Sequence, residues 1–243
     1  MTLSNKTALI TGGGTGIGAA IAKAFAADGC RTVISGRREN KLRETAAAFS
    51  GEPKLIFKAV DVADRASVAE LFAWAKDQLG RIDILVNSAG VNVPKRSMAE
   101  LDPDDWDLLM LVNATGAYNC MVAALPQMRA ASDGLIINIS SIAGKRTGPL
   151  GGVAYNASKF AMSALGLTVA AEEKDHGIRV TNIYPGEVDT PILENRPTPV
   201  SDEHRASILQ SEDIAAAARM VANLPARAHI PELIIKPTTQ LYV

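Results

Sequence analysis

The chain has 243 residues, 47% of them hydrophobic and 21% charged, proportions typical of a globular protein with ample apolar side chains for a core. Its net charge of −1 leaves no basic excess for nucleic acid or an anionic membrane surface, so neither is expected as a partner. The stretch from Met1 lacks the apolar segment of a signal peptide, and no run is read as reaching the ~20 apolar residues that span a bilayer, so a cytoplasmic protein is expected.

In chain order, a buried strand is expected at Thr7–Thr11, an Ala-rich helix at 17–28, a strand at 32–35 and a helix at 39–49. A strand at 55–60, a helix at 66–79 and a strand at 82–86 continue the alternation. A helix is expected over 106–128, with Pro126 kinking or ending it. A strand at 135–139, a long helix at 154–174, a strand at 178–183, a helix at 212–223 and a short strand at Glu232–Ile235 complete the pattern. Strands alternating with helices require crossover connections, and their near-continuous apolar runs suit a sheet covered on both faces. The expected fold is α/β: one Rossmann-type, doubly wound parallel sheet of about seven strands. No linker, repeat or low-complexity segment interrupts it, so residues 1–243 are expected to form one domain, with the proline-rich stretch 191–199 as a loop.

Between the first strand and first helix stands Thr11-Gly12-Gly13-Gly14-Thr15-Gly16-Ile17-Gly18. Glycines at such a junction let the backbone turn tightly and approach a pyrophosphate, and the helix N-terminus favours the anion. A nucleoside-triphosphatase loop would need Gly-Lys-Ser/Thr, but Gly18 is followed by Ala19-Ala20. Cys30 and Cys120 sit in no CxxC or Cys/His cluster, and His176, His204 and His229 are scattered, so no metal site is expected.

Tyr155 and Lys159 are four residues apart at the start of a helix, so both project from one face. The position, after the fifth strand, is at the carboxyl edge where open sheets bind ligands. A tyrosine with its ordinary pKa of about 10 is a poor base near neutrality, and an adjacent ammonium favours its phenolate. Tyr155 is therefore the expected general acid/base. Strand 135–139 ends at Ser140-Ser141, either of which offers a hydroxyl to the reacting oxygen. Asn113 is a polar residue within the apolar stretch Leu111-Val112-Asn113-Ala114.

These residues occur in a recognisable order. After TGxxxGxG come Asp61-Val62, Asn87-Ser88-Ala89-Gly90, Asn113, Ser140-Ser141, Tyr155-Asn156-Ala157-Ser158-Lys159 and Pro185-Gly186-Glu187-Val188-Asp189-Thr190. The set resembles the short-chain dehydrogenase/reductase family over residues 7 to about 190, with Ser88 standing in place of the second asparagine of an NNAG motif. The resemblance implies a catalytic set of Asn113, Ser141, Tyr155 and Lys159. Ser141 is the serine followed by x-Ala-Gly, and its distance of 14 positions from Tyr155 is one more than the family pattern, enlarging the loop at 145–152. Asn113 would anchor a water leading from the lysine to solvent, and Lys159 would also hold the nicotinamide ribose. The dinucleotide would contact Gly12, Gly14, Thr15, Gly16, Ile17 and Gly18, with Asp61 on the adenine amino group beside Val62. Asn87, Ala89, Gly90, Pro185, Gly186 and Val188 would line it further, and Thr190 would hold the carboxamide.

Cofactor choice is read at the end of the second strand, Val33-Ile34-Ser35-Gly36-Arg37-Arg38, which has no carboxylate before Glu39. An acidic residue there would hold the 2′-hydroxyl of NAD, whereas a guanidinium pairs with the 2′-phosphate of NADP. NADP(H) is expected, bound by Arg37 and Arg38 with help from the hydroxyls of Thr15 and Ser35. The expected reaction is hydride transfer between NADP(H) and a small carbonyl or secondary alcohol. A 3-oxoacyl thioester reductase shares every motif, and a non-catalytic NADP(H)-binding sensor is the alternative outside enzymes. Substrate choice falls to the loops at 91–101, 145–153 and 191–206. Lys95, Arg96, Lys145 and Arg146 on those loops are read as solvated surface charge, with attraction of an acidic substrate as the other possibility. The apolar helices at 106–128 and 154–174, which the resembling family pairs across a two-fold axis, imply a homo-oligomer, expected to be a tetramer.

Overall fold

The first apolar run becomes the central strand β1 (Thr7–Thr11), buried at all five positions in a computed structural model that describes residues 2–242. Met1 and Val243, the ends of the expected 1–243 range, lie outside the described residues. Helix α1 (Gly16–Ala27), strand β2 (Arg31–Gly36), helix α2 (Glu39–Ala47) and strand β3 (Ile56–Ala59) follow. Then come α3 (Arg65–Leu79), β4 (Ile84–Asn87), α4 (Pro103–Met110), α5 (Gly116–Ala131) and β5 (Gly134–Ile139). The chain ends through α6 (Val153–Glu173), β6 (Ile178–Pro185), α7 (Asp202–Ser207), α8 (Ser211–Ala222) and β7 (Glu232–Ile235).

The seven strands form one sheet in the order β3-β2-β1-β4-β5-β6-β7, and every pairing is parallel. This is the expected doubly wound α/β architecture. Alternation along each strand divides the core in two. Ile10, Ile34, Val86 and Ile137 pack with Phe25 of α1, Leu42 of α2 and Ile214 of α8 on one face. Leu9, Val33, Leu85 and Ile136 pack with Leu71 of α3 and Met121 and Met128 of α5 on the other. The chain order reverses direction between β1 and β4, which opens a crevice above their carboxyl ends.

The helix expected over 106–128 begins earlier, because Asp102 caps it by accepting from the Asp104 N–H at 2.9 Å and Pro103 suits a first turn. It does not end at Pro126, which lies inside α5, but runs to Ala131. Its irregularity lies instead at Leu111–Thr115, a π-helical turn. The reading that no stretch is apolar enough to span a bilayer is also corrected. Within the continuous helix Pro103–Ala131 an 18-residue stretch reaches a mean hydropathy of 1.5, long and apolar enough by length and composition alone, although Cys120, Met121, Ala124 and Met128 bury one side of the helix in the core. Helix α7, two turns capped by Ser201, was not expected from the sequence.

Candidate active site

The crevice above the sheet is a cleft of about 970 Å³, and the glycine turn forms its floor. Gly12 has φ of +67°, and a β-carbon there would lie 2.7 Å from the Ala89 nitrogen. A β-carbon on Gly18 would lie 2.4 Å from the Gly12 carbonyl oxygen. Only glycine permits this tight passage between β1 and α1. Thr11 ties the turn to the end of β4, its hydroxyl accepting from the N–H groups of Ser88 and Ala89 at 3.2 and 3.3 Å. Helix α1 starts at Thr15 with no side-chain cap and no acidic residue in its first turn, so its N-terminal N–H groups face the cleft uncompensated. Gly12, Gly14, Thr15, Gly16, Ile17 and Gly18 all line the cleft.

Beyond the turn, the end of β2 presents Arg37 and Arg38, both exposed and both lining the cleft, with Arg38 donating to the Thr15 hydroxyl at 3.3 Å. Lys41, one turn into α2, lines the same end and was missed; its place three residues after Arg38 was the available signal. Ser35 is corrected: it is fully buried in β2 and does not line the cleft, because strand alternation turns its side chain into the core. Asp61 and Val62 form the wall beside α2, where the Asp61 carboxylate accepts from the Ala63 N–H at 3.0 Å.

Ala89 and Gly90 line the cleft, but Asn87 does not. Its side chain lies within the sheet and donates to Asn138 at 3.0 Å, and Asn138 in turn donates to Asn182 at 2.9 Å. Strand register brings the three amides into line across β4, β5 and β6. Asn87 is therefore corrected from a cofactor contact of the cleft to the end of a buried amide ladder.

Tyr155, Lys159 and Ser141 converge at the far end of the cleft. Ser141 caps the short turn at Ile142–Gly144, its hydroxyl accepting from the Ala143 N–H at 3.1 Å, and the same hydroxyl interacts with the phenol of Tyr155. Ser140 faces the other way: it is buried, with its hydroxyl 3.2 Å from the Lys159 carbonyl and from the Ser163 hydroxyl. Lys159 is only 4% exposed, its ammonium donates to the Ile139 carbonyl at 2.9 Å, and burial lowers its pKa to about 8. Its Nζ lies 5.7 Å from the centre of the Tyr155 ring.

Tyr155 opens onto the cleft but is hemmed in by protein atoms, and burial raises its pKa above the ordinary phenol value. The Ser141 hydroxyl and the Arg96 charge pull it back down. The net shift is therefore upward, which corrects the expectation that the adjacent Lys159 ammonium brings it down: the lowering charge is Arg96, and burial outweighs it. Asn113 sits behind Gly90 rather than on the cleft surface, fully buried on the π-helical turn. Its amide oxygen accepts from the Val91 N–H at 2.8 Å, and its amide nitrogen donates to the Val91 carbonyl and the Ser158 hydroxyl, each at 3.0 Å. A β-carbon placed on Gly90 would stand 3.5 Å from both the Asn113 oxygen and the Lys159 nitrogen, so both side chains come close to the face of Gly90 that carries no side chain. Pro185, Gly186, Val188 and Thr190 close the cleft after β6.

Of the four loop cations, Lys95 is exposed, Lys145 pairs with Glu232 at 2.5 Å over the Tyr184 ring, and Arg146 lies 5.3 Å from the Tyr242 ring centre. Arg96 departs from the surface-charge reading, being 7% exposed inside the cleft wall.

The family profile described as short chain dehydrogenase matches residues 6–200. An uncharacterised oxidoreductase of Staphylococcus saprophyticus is 35% identical, over 97% of this chain and 98% of the relative. The structure of an alcohol dehydrogenase from the archaeon Thermococcus sibiricus, complexed with 5-hydroxy-NADP, is similar with a TM-score of 0.87 and 28% identity, over 97% of this chain and 98% of that one. A 3-ketoacyl-(acyl-carrier-protein) reductase from Brucella melitensis, complexed with NADH, has a TM-score of 0.89 and 28% identity over the same shares. The chain belongs to the short-chain dehydrogenase family of oxidoreductases.

Proposed function

We propose that the protein interconverts a carbonyl compound and its alcohol with NADP(H), Tyr155 moving the proton. One observation carries this reading: Ser141, Tyr155 and Lys159 meet in the same cleft that the glycine turn and Arg37 line. The cradle fits a dinucleotide, because Gly12 and Gly18 let the turn close tightly where a β-carbon would strike backbone, and the uncapped α1 N-terminus favours a pyrophosphate. The cofactor supplies the acceptor or donor of a hydride. In oxidation, the alcohol O–H gives its proton to the Tyr155 oxygen as the neighbouring C–H bond loses its electron pair, leaving C=O. In reduction, Tyr155 returns the proton to the oxygen. Ser141 holds that oxygen by hydrogen bonding, and the Lys159 cation favours the phenolate. Arg37, with Arg38 and Lys41 close by, supports a preference for the 2′-phosphate of NADP(H). A homo-oligomer, expected to be a tetramer, is part of the same reading.

A screen of ketones, aldehydes, secondary alcohols and 3-oxoacyl thioesters, following NADPH absorbance, identifies the substrate. Tyr155→Phe should then lower turnover by at least about 10²- to 10⁴-fold while cofactor affinity changes little. Retention of most of the turnover would remove the assignment.

A further inference from the structure

Arg96 carries a charge that nothing in its surroundings balances. Its guanidinium donates to the carbonyls of Val93 at 2.8 Å, Leu150 at 2.9 Å and Asn195. Those three carbonyls belong to the loops after β4, β5 and β6, so the side chain sits where the loops meet above the reacting residues. Carbonyl dipoles satisfy hydrogen bonds but carry no net charge. No carboxylate among the described residues acts on Arg96; burial and the neighbouring guanidinium of Arg196 both oppose its charge, and only Tyr155 favours it. Arg196 is itself mostly buried and pairs with Glu187 at 3.2 Å, while Glu187 also contacts His204 at 2.6 Å. Glu194 stands at the exposed rim of the cleft.

Arginine does not escape this cost by losing its proton. A guanidinium has five N–H donors, and three are engaged here, leaving one on each terminal nitrogen. A carboxylate has two oxygens for such donors and pairs with arginine in a fixed geometry. We propose that the substrate is an oxo or hydroxy acid whose carboxylate is bound by Arg96, with Arg196 beside it. The proposal rests on the carbonyl–alcohol reading above. Arg96 lines the same cleft as Tyr155, and its carbonyl accepts from the Val153 N–H at 3.1 Å, two residues before Tyr155, so a carboxylate held by Arg96 lies on the reacting side of the cleft. The carboxylate is unchanged by the reaction; it orients the substrate and balances the Arg96 charge, Arg196 being paired already with Glu187. A large acyl thioester, whose carboxyl is masked, offers no such group.

The test compares short 2- and 3-hydroxy acids with their methyl esters and with matching neutral secondary alcohols, using the full-length protein and NADP⁺. The free acids should exceed the esters in kcat/KM by about 100-fold, a ratio in keeping with a desolvated charge pair. Arg96→Met should collapse that ratio, chiefly through KM for the acid, and Arg96→Lys should restore part of it. Since Arg96 also joins three loops, a second measurement on the unmodified protein stands apart from the variant. An unreactive carboxylate, 2-methylpropanoate, should inhibit competitively against the substrate and raise the melting temperature in the presence of NADP⁺, whereas 2-methylpropanamide should do neither. Esters or neutral alcohols turned over as well as the acids, with Tyr155→Phe still inactive, would overturn the carboxylate proposal and leave the carbonyl–alcohol reading standing. Turnover that survives Tyr155→Phe would instead strike at that reading. Absence of any effect of 2-methylpropanoate on melting or rate overturns the carboxylate proposal whatever the substrate screen returns.

Discussion

Burial acts on Tyr155 and Lys159 in opposite directions on the pKa scale, because it disfavours the charged form of each. The tyrosine is held protonated above its ordinary value, and the lysine, lowered to about 8, still carries its proton at neutral pH. On the proposed mechanism reduction consumes the proton on Tyr155, so its kcat/KM should hold level through neutrality. It should then fall as pH rises past about 8, where the Lys159 cation is lost. Oxidation needs the phenolate, a minority species at neutral pH, and should climb with pH over the same range. Initial rates in both directions across pH 6–10 check this, and a reduction rate that climbs with pH would contradict the assignment. The two neighbouring serines show how little separates a hydroxyl at the proposed reacting position from a structural one. Successive residues at the end of β5 point to opposite sides, which puts Ser141 at the phenol and Ser140 against α6.

At the scale of elements, the proposed preference for NADP(H) rests on the turn from β2 into α2. Gly36 ends the strand, and a β-carbon there would meet only Leu42, at 3.8 Å, so a side chain is sterically accepted. Glu39, the first carboxylate after the strand, is taken by Arg43 at 2.7 Å. Gly36→Asp with Arg37→Ala should therefore shift the affinity ratio toward NAD(H) by at least about tenfold, ~1.4 kcal/mol, measured calorimetrically at matched salt. Equal or tighter binding of NAD(H) by the unmodified protein would refute the NADP(H) preference. The π-helical turn at Leu111–Thr115 has a parallel role on the other side. By widening the helix at Asn113 it lets one amide bridge Val91, on the loop after β4, and Ser158, inside α6. The loop bearing Arg96 and the helix bearing Tyr155 are thereby held in one arrangement.

At the scale of the whole molecule, the α4–α5 and α6 side of the sheet is covered by helices that remain apolar on their outer faces. Leu111, Tyr118 and Val122 along one helix, and Phe160 and Leu167 along the other, are each 41–51% exposed. Their spacings of four and seven residues place them on continuous stripes. Exposed apolar stripes on two adjacent helices are what a second copy of the chain would cover. Light scattering should return a homo-oligomer, with a tetramer of the 25.6 kDa chain expected, and Val122→Glu with Leu167→Glu should shift it toward smaller species. A monomer at micromolar concentration would remove the claim.

Local order along the chain determined the alternation of strands and helices, the glycine turn at residues 11–18 and the four-residue step from Tyr155 to Lys159, since each depends on short-range periodicity or turn chemistry. The parallel seven-stranded sheet follows from that alternation. Packing across the molecule decided the rest. The amide ladder that takes Asn87 into the sheet exists only because β4, β5 and β6 align in register. Ser35 is lost to the core by strand alternation, and Asn113 finds its partners only where a π-helical turn meets α6. Arg96 is the sharpest instance. On a polar loop it reads as surface charge, and its burial arises from two loops distant in sequence, at Leu150 and Asn195, closing with its own loop over one guanidinium. Burial of a long-range cluster is a property of the assembled fold, and no window along the chain contains it.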